Sequence, residues 1–176
     1  MTDSRPPLRF RGDRFTVERV RYAGRDGTPV ERDVIRHPGA VVVIPRGADG
    51  RVLFVENYRP AVGATLLELP AGTRDPAETP EATARRELTE ETGLTAERLT
   101  EVVRFHVSPG ILDEEMIVYL AEGLTEGEPS PEETERLTPR WLTPAEAWAE
   151  LMARPHRDAK TLLGLVWLGQ RPDETV

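Results

Sequence analysis

Glu87, Glu90 and Glu91 are spaced three and four residues apart within the run RELTEETGL at 86–94. At 100° per residue, this spacing brings three carboxylates within about one third of a helix circumference. Like charges so placed repel, costing about 0.2–0.5 kcal/mol per pair, which a chain avoids unless cations gather there. Hard carboxylate oxygens suit magnesium or manganese. Taken alone, the row also fits a solvated acidic face with Arg86 and Glu90 as an i,i+4 pair. The surrounding residues shift the balance.

The longer segment GTRDPAETPEATARRELTEETGL spans 72–94 and carries Gly72, Glu78, Arg86, Glu87, Leu88, Glu90, Glu91, Gly93 and Leu94. It resembles the Nudix box, G-x5-E-x7-R-E-U-x-E-E-x-G-U with U aliphatic, at every specified position. Typical residue frequencies put a chance match per window below about one in ten million. The resemblance implies the α/β Nudix fold, an α/β/α sandwich around a mixed β-sheet. It also implies hydrolysis of a nucleoside diphosphate linked to another moiety. A diphosphate is multiply anionic, so water attacks phosphorus readily only when metal ions neutralise its oxygens. By resemblance, Glu87 and Glu91 are the principal Mg2+ ligands, with Mn2+ as an alternative ion. Glu90 is a further ligand with a catalytic part, and the backbone carbonyl of Ala71 completes the set. Glu78 and Arg86 hold the loop and helix in place.

Other segments are similar to the ADP-ribose pyrophosphatase branch of this family, and the similarity covers roughly 30–170. NYRPAVGATLLELPAG at 57–72 matches that branch's arginine-bearing strand, which makes Arg59 a forked donor to substrate phosphate. SPGILDEE at 108–115 resembles the branch's proline marker and gives Pro109 and Gly110 a place at the substrate. A loop glutamate that orients or deprotonates the attacking water is expected among Glu132, Glu133 and Glu135, with Glu135 preferred and Glu133 next. The resemblance further implies a strand-exchanged homodimer whose N-terminal residues stack the base, for which Phe10, Phe15 and Tyr22 are the available aromatics. The expected reaction is cleavage of ADP-ribose, or a related nucleoside diphosphate sugar, to AMP and ribose 5-phosphate. Two alternatives stay open: a non-hydrolysing nucleotide sensor that regulates a partner, and hydrolysis of nucleoside triphosphates.

These residues need a scaffold, and the 176-residue chain is sized for a single compact domain. Its 38% hydrophobic and 31% charged residues are ordinary globular usage. Basic residues number 23 against 31 acidic, a net charge of -8 that disfavours nucleic acid as a partner. The absence of cysteine removes disulfides, thiol nucleophiles and Cys-ligated metals and fits a cytoplasmic protein. Runs such as Ala40–Ile44 are far too short to span a membrane, and MTDSRPPLRF lacks the apolar core of a signal peptide.

Alternation over 10–25 and 29–36 predicts an antiparallel pair, and residues 1–36 read as a dimer-forming β extension ahead of a Nudix domain at 37–176. AVVVIP at 40–45 predicts a strand buried on both faces, with RVLFVENYR at 51–59 as its hairpin partner. Further strands are expected at 66–69, 99–107 and 116–121. Helices are predicted from Thr79 to Gly93, from Thr143 to about Arg154, and over 158–168. Residues 122–139 read as a long acidic loop. Trp148, Leu151, Leu162, Leu165 and Trp167 are expected in the core, and His37, His106 and His156 lack ligand spacing and receive no role.

Overall fold

The computed structural model describes residues 8–130 and 137–170. Strands β1 (Leu8–Arg11), β2 (Thr16–Ala23) and β3 (Pro29–Arg36) form an antiparallel sheet in that order. The alternation over 10–25 is therefore two strands rather than one. The chain reverses between them, with Gly12 N donating to Phe15 O at 2.9 Å. The end of β3 is tied to the 108–115 segment: Ile35 N donates to Ile111 O at 2.8 Å, Asp113 N donates to Ile35 O at 3.1 Å, and Arg36 Nη1 donates to Asp113 Oδ2 at 3.0 Å.

β4 (Ala40–Pro45) is buried along its whole length, as an uninterrupted apolar run requires. It lies in a mixed four-stranded sheet of order β7-β4-β9-β8, comprising β7 (Ala71–Thr73), β9 (Glu115–Thr125) and β8 (Thr95–His106). β4 runs parallel to β9 and antiparallel to β7. The expected β4 hairpin with 51–59 does not form. Both edges of β4 are already occupied, so β5 (Val52–Arg59) crosses to a second sheet of order β10-β5-β6, with β6 (Ala64–Glu68) and β10 (Thr138–Leu142). A single bridge, Arg46 to Val52, marks the crossing.

Alternation along the central strands divides the core in two. Val41, Val43, Ile117 and Tyr119 pack against Ala84 and Leu88 of α1 (Pro80–Thr92). From the opposite face Val42, Ile44, Val118 and Leu120 meet Phe54 and Leu67, together with Leu151 of α2 (Pro144–Ala153) and Leu165 of α3 (Ala159–Gly169). Helices thus cover both sides of the strands, as an α/β/α sandwich demands. Each such leucine contributes about 1.5–3 kcal/mol by leaving water.

The helix ends follow their sequence signals. Thr79 Oγ1 accepts from Ala82 N at 3.2 Å, Pro80 opens α1, and Gly93 closes it with a left-handed φ of 73°. Thr143 and Glu146 form the capping box that starts α2. Asp158 Oδ2 accepts from Thr161 N at 2.9 Å at the start of α3. Trp148 departs from expectation: it is 43% exposed, because Ala147 and Leu151 define the inward face of α2. The acidic loop is shorter than expected, since β9 extends to Thr125 and β10 already includes Thr138 and Pro139. β10 is an edge strand, where the missing proline N–H is tolerated.

Candidate active site

Packing of Ala84 and Leu88 fixes the rotation of α1, and that rotation decides where its acidic row lies. Glu91 falls beside the apolar stripe and is only 5% exposed. It accepts a hydrogen bond from Ala71 N at 3.3 Å, so the Ala71 peptide sits beside its carboxylate. Glu87 lies directly against Gly72, where any added Cβ would overlap its carboxylate. Gly72 therefore leaves the room that the Glu87 carboxylate occupies, which any larger residue would take from it. The helix row and the Ala71–Gly72 backbone form one surface.

Arg86 organises the charge on that surface. Its Nη1 donates to Glu87 Oε1 and Glu90 Oε2, each at 2.8 Å, while its Nε lies 3.3 Å from both oxygens of Glu78. Burial disfavours the charged guanidinium, but the bond to Glu90 and the attraction of Glu87 outweigh it and hold the proton more tightly than usual. Among the described residues, no group of three or more His, Asp or Glu side chains is gathered closely enough to enclose an ion. The donor chemistry nevertheless fits a hard divalent cation: a cationic nitrogen, Arg86 Nη1, already bridges the Glu87 and Glu90 carboxylates, and Glu91 on the same helix holds the Ala71 peptide beside them.

The surface borders a cleft of about 1090 Å3, which also takes in Ala71, Gly72, Arg59 and Lys160. That is ample for a nucleotide-sized ligand, since such sites run to roughly 300–1,000 Å3. Arg59 holds Glu68 through two bonds, Nε to Oε1 at 2.8 Å and Nη2 to Oε2 at 2.6 Å. Lys160 Nζ lies 2.6 Å from Glu68 Oε2 and 3.0 Å from Asp158 Oδ1. Burial would push the Glu68 carboxyl up, yet its bond to Arg59 and the Lys160 charge bring it below the usual carboxylate range. The same Glu68 bond raises Arg59 against the opposing effect of burial.

The structure therefore brings Arg59, Ala71, Glu87 and Glu90 to one cleft, with Glu91 immediately behind Ala71. Pro109 and Gly110 border a separate depression of about 290 Å3, joined to the cleft by Arg36, which borders both. Glu132, Glu133 and Glu135 lie outside the described residues. Phe15 borders the cleft, and its ring packs on Phe10 at 5.7 Å between centroids.

Sequence reasoning gave no part to Glu68, Lys160, Arg74 or His37, all of which border the cleft. Arg74 Nε is buried without a hydrogen-bond partner among the described residues. His37 Nδ1 accepts from Gly39 N at 3.1 Å and lies 3.4 Å from Glu114 Oε1. Lys160 did leave a signal: it is the chain's single lysine, set in a helix whose other residues, Thr161 aside, are apolar.

Residues 36–163 match the family model described as the NUDIX domain. An ADP-ribose pyrophosphatase of Bacillus subtilis (strain 168) is 38% identical over 145 residues, covering 81% of this chain and 78% of that protein. A methanol dehydrogenase activator of Bacillus methanolicus is 35% identical over 145 residues with the same coverages. A crystal structure of an ADP compounds hydrolase superposes with a TM-score of 0.78 at 22% identity, covering 94% of this chain and 93% of that one, and supports the fold.

Proposed function

Because the chain belongs to the Nudix family, we propose that it is a metal-dependent hydrolase of the diphosphate bond in ADP-ribose or a related nucleoside diphosphate sugar. The observation that carries this reading is the carboxylate row of α1 closed against Ala71 and Gly72 at the wall of a cleft that also bears Arg59. The relative named as an ADP-ribose pyrophosphatase supports the choice of substrate.

Glu87, Glu90, Glu91 and the Ala71 carbonyl would hold the divalent ion, magnesium or alternatively manganese. When bound, such an ion neutralises phosphate oxygens and increases the acidity of water. Arg59 binds a non-bridging phosphate oxygen with the guanidinium edge that Glu68 leaves unused, which fixes the diphosphate in the cleft. Glu135, or Glu133 as second choice, takes a proton from the attacking water. The water oxygen bonds to one phosphorus, the bridging oxygen leaves with the other phosphate, and the products are AMP and ribose 5-phosphate. Pro109 and Gly110 contact the substrate from the neighbouring depression. Residues 1–36 form an extension ahead of a Nudix domain at 37–176, and the exposed Leu8, Phe10 and Tyr22 make it the homodimer surface.

Product identification tests the reading. AMP and ribose 5-phosphate should form from ADP-ribose with magnesium and not with excess chelator. A tenfold preference for deoxynucleoside triphosphates would overturn the substrate assignment. The relative named as a dehydrogenase activator favours a second reading, in which nucleotide binding regulates a partner. Complete inactivity on a nucleotide panel would bring that reading forward.

A further inference from the structure

Two cations on the cleft wall share one buried carboxylate. Glu68 is 1% exposed and accepts from Arg59 Nε, Arg59 Nη2 and Lys160 Nζ at 2.8, 2.6 and 2.6 Å. Lys160, from the first turn of α3, is 7% exposed and borders the cleft, although α3 lies on the far side of the sheets from α1. Its reach to Glu68 is fixed by its neighbours: Asp158 caps the helix and pairs with Nζ, while Thr161 Oγ1 accepts from Leu69 N at 2.8 Å, the residue after Glu68.

Donor accounting shows what this arrangement leaves over. An ammonium has three N–H groups, and Lys160 donates one to Glu68 and forms an ion pair with Asp158, so at least one N–H is left over. A guanidinium has five, and Arg59 commits Nε and Nη2 to Glu68, leaving Nη1 with no partner among the described residues. A buried charge is costly unless its hydrogen bonds are complete. Two immobilised cations with spare donors on the same cleft wall are suited to an oxygen-rich anion, because ion pairing has already removed the cost of ordering the two long side chains.

We propose that Lys160 is a second phosphate-binding residue beside Arg59, and that Glu68 is the positioning residue that presents the two as one anion-binding edge to the diphosphate of the substrate. The proposal rests on the diphosphate reading above and adds residues from β6 and α3 to it. Lys160 supplies a point-charge donor, whereas Arg59 supplies a planar fork, so together they can bind two oxygens of a diphosphate. Glu68 touches no substrate and acts through both.

The test uses the full chain and α,β-methylene ADP, which keeps the two phosphates and resists cleavage, with magnesium present. Calorimetric binding is measured for the parent, Lys160→Met, Lys160→Gln, Lys160→Arg and Glu68→Gln, beside kcat and KM for ADP-ribose. Lys160→Met and Lys160→Gln should weaken binding and raise KM about tenfold to a hundredfold, with kcat changed less than about threefold. Lys160→Arg, which keeps the charge, should recover at least half of that loss on a logarithmic scale, and Glu68→Gln should match Lys160→Met. A purely structural lysine would lower the melting temperature while leaving affinity and KM unchanged, and affinity within twofold of the parent in Lys160→Gln overturns the proposal. If the parent leaves ADP-ribose intact but loses affinity for the analogue on Lys160 substitution, the substrate reading fails while this proposal stands.

Discussion

Replacement of Gly72 by alanine should disable the site with little harm to the fold. The added Cβ would overlap the Glu87 carboxylate, and restoring ordinary contact at about 3.5–4.0 Å forces that carboxylate back by more than about 1 Å. Displacements of about 1 Å at a reacting centre cost on the order of a hundredfold, which is about 2.7 kcal/mol of activation free energy. Gly72 is not among the glycines with positive φ, so alanine there brings no backbone strain and the effect isolates the side-chain collision. Overpacking costs about 1–3 kcal/mol, partly offset by about 0.4–1 kcal/mol from a less flexible unfolded chain. The expected outcome is about a hundredfold loss in kcat/KM for ADP-ribose with unfolding free energy lowered by about 1–2 kcal/mol. Gly169→Ala, at the end of α3 with nothing near the added Cβ, is the control and should keep full activity. A Gly72→Ala protein that folds and retains kcat/KM within threefold of the parent would refute the argument that Glu87 must close on this glycine.

Glu91→Gln should lower kcat about a hundredfold or more while circular dichroism and melting stay close to the parent, and substantial turnover would remove this residue from the metal set. Leu88→Ala, which empties a fully buried position under α1, should lower urea-derived stability by about 2–5 kcal/mol; a loss below 1 kcal/mol would show that the helix is not held by this contact. Thr143→Ala removes the hydroxyl that caps Glu146 N, while the bond from the residue-143 N–H to the Glu146 carboxylate stays, and should cost about 1 kcal/mol, read from the denaturant midpoint. Glu68→Gln leaves Lys160 and Arg59 without their buried counter-charge and should cost about 3–5 kcal/mol at pH 7. Because the folded Glu68 carboxyl titrates below its ordinary value of 4.5, its contribution is complete above that pH and is lost as pH falls through the folded value. The stability gap between parent and Glu68→Gln should therefore narrow in acid, and a constant gap from pH 7 to pH 3 would contradict the ion-pair account.

The parts of the molecule legible from sequence are those whose signals are local. Thr79, Pro80 and Gly93 mark α1 to the residue, and Thr143 with Glu146 marks α2, because caps act within a single turn. The full burial of AVVVIP was readable for a similar reason, since an uninterrupted β-branched run has no polar face. Its partner was not readable, because adjacency in sequence favours a hairpin while β7 and β9, both remote, compete for the same edges and win. Trp148 misled because an aromatic in an amphipathic helix reads as core, whereas packing selected Ala147 and Leu151, which lie on another line of the same helix. The acidic row of α1 was legible as chemistry, and the resemblance set Ala71 beside it, but the contact of Glu87 with Gly72 was not legible, being a property of how helix and strand meet.

The charge pattern poses a physical problem of its own, since a chain of net charge -8 is assigned a polyanionic substrate. The resolution is local. Screening makes exposed charges beyond about 8–10 Å weak, so the field at the cleft is set by the groups that border it. Seven Arg and Lys residues border it against seven Asp and Glu, so the cleft does not share the chain's negative excess, and within it Lys160 is nearly buried and Arg59 is braced by a carboxylate that is fully enclosed. Other cations are spent on surface pairs, such as Arg19 with Asp33 and Arg104 with Glu101, which contribute little to binding at that distance. Added salt should therefore depress the association rate only slightly, while removal of either cleft cation should reduce affinity, because the attraction is exerted at contact rather than across the surface. A steep salt dependence of kcat/KM, comparable to that of an electrostatically steered encounter, would place the operative charge on the surface instead and would weaken the case for a preorganised cationic edge at Arg59 and Lys160.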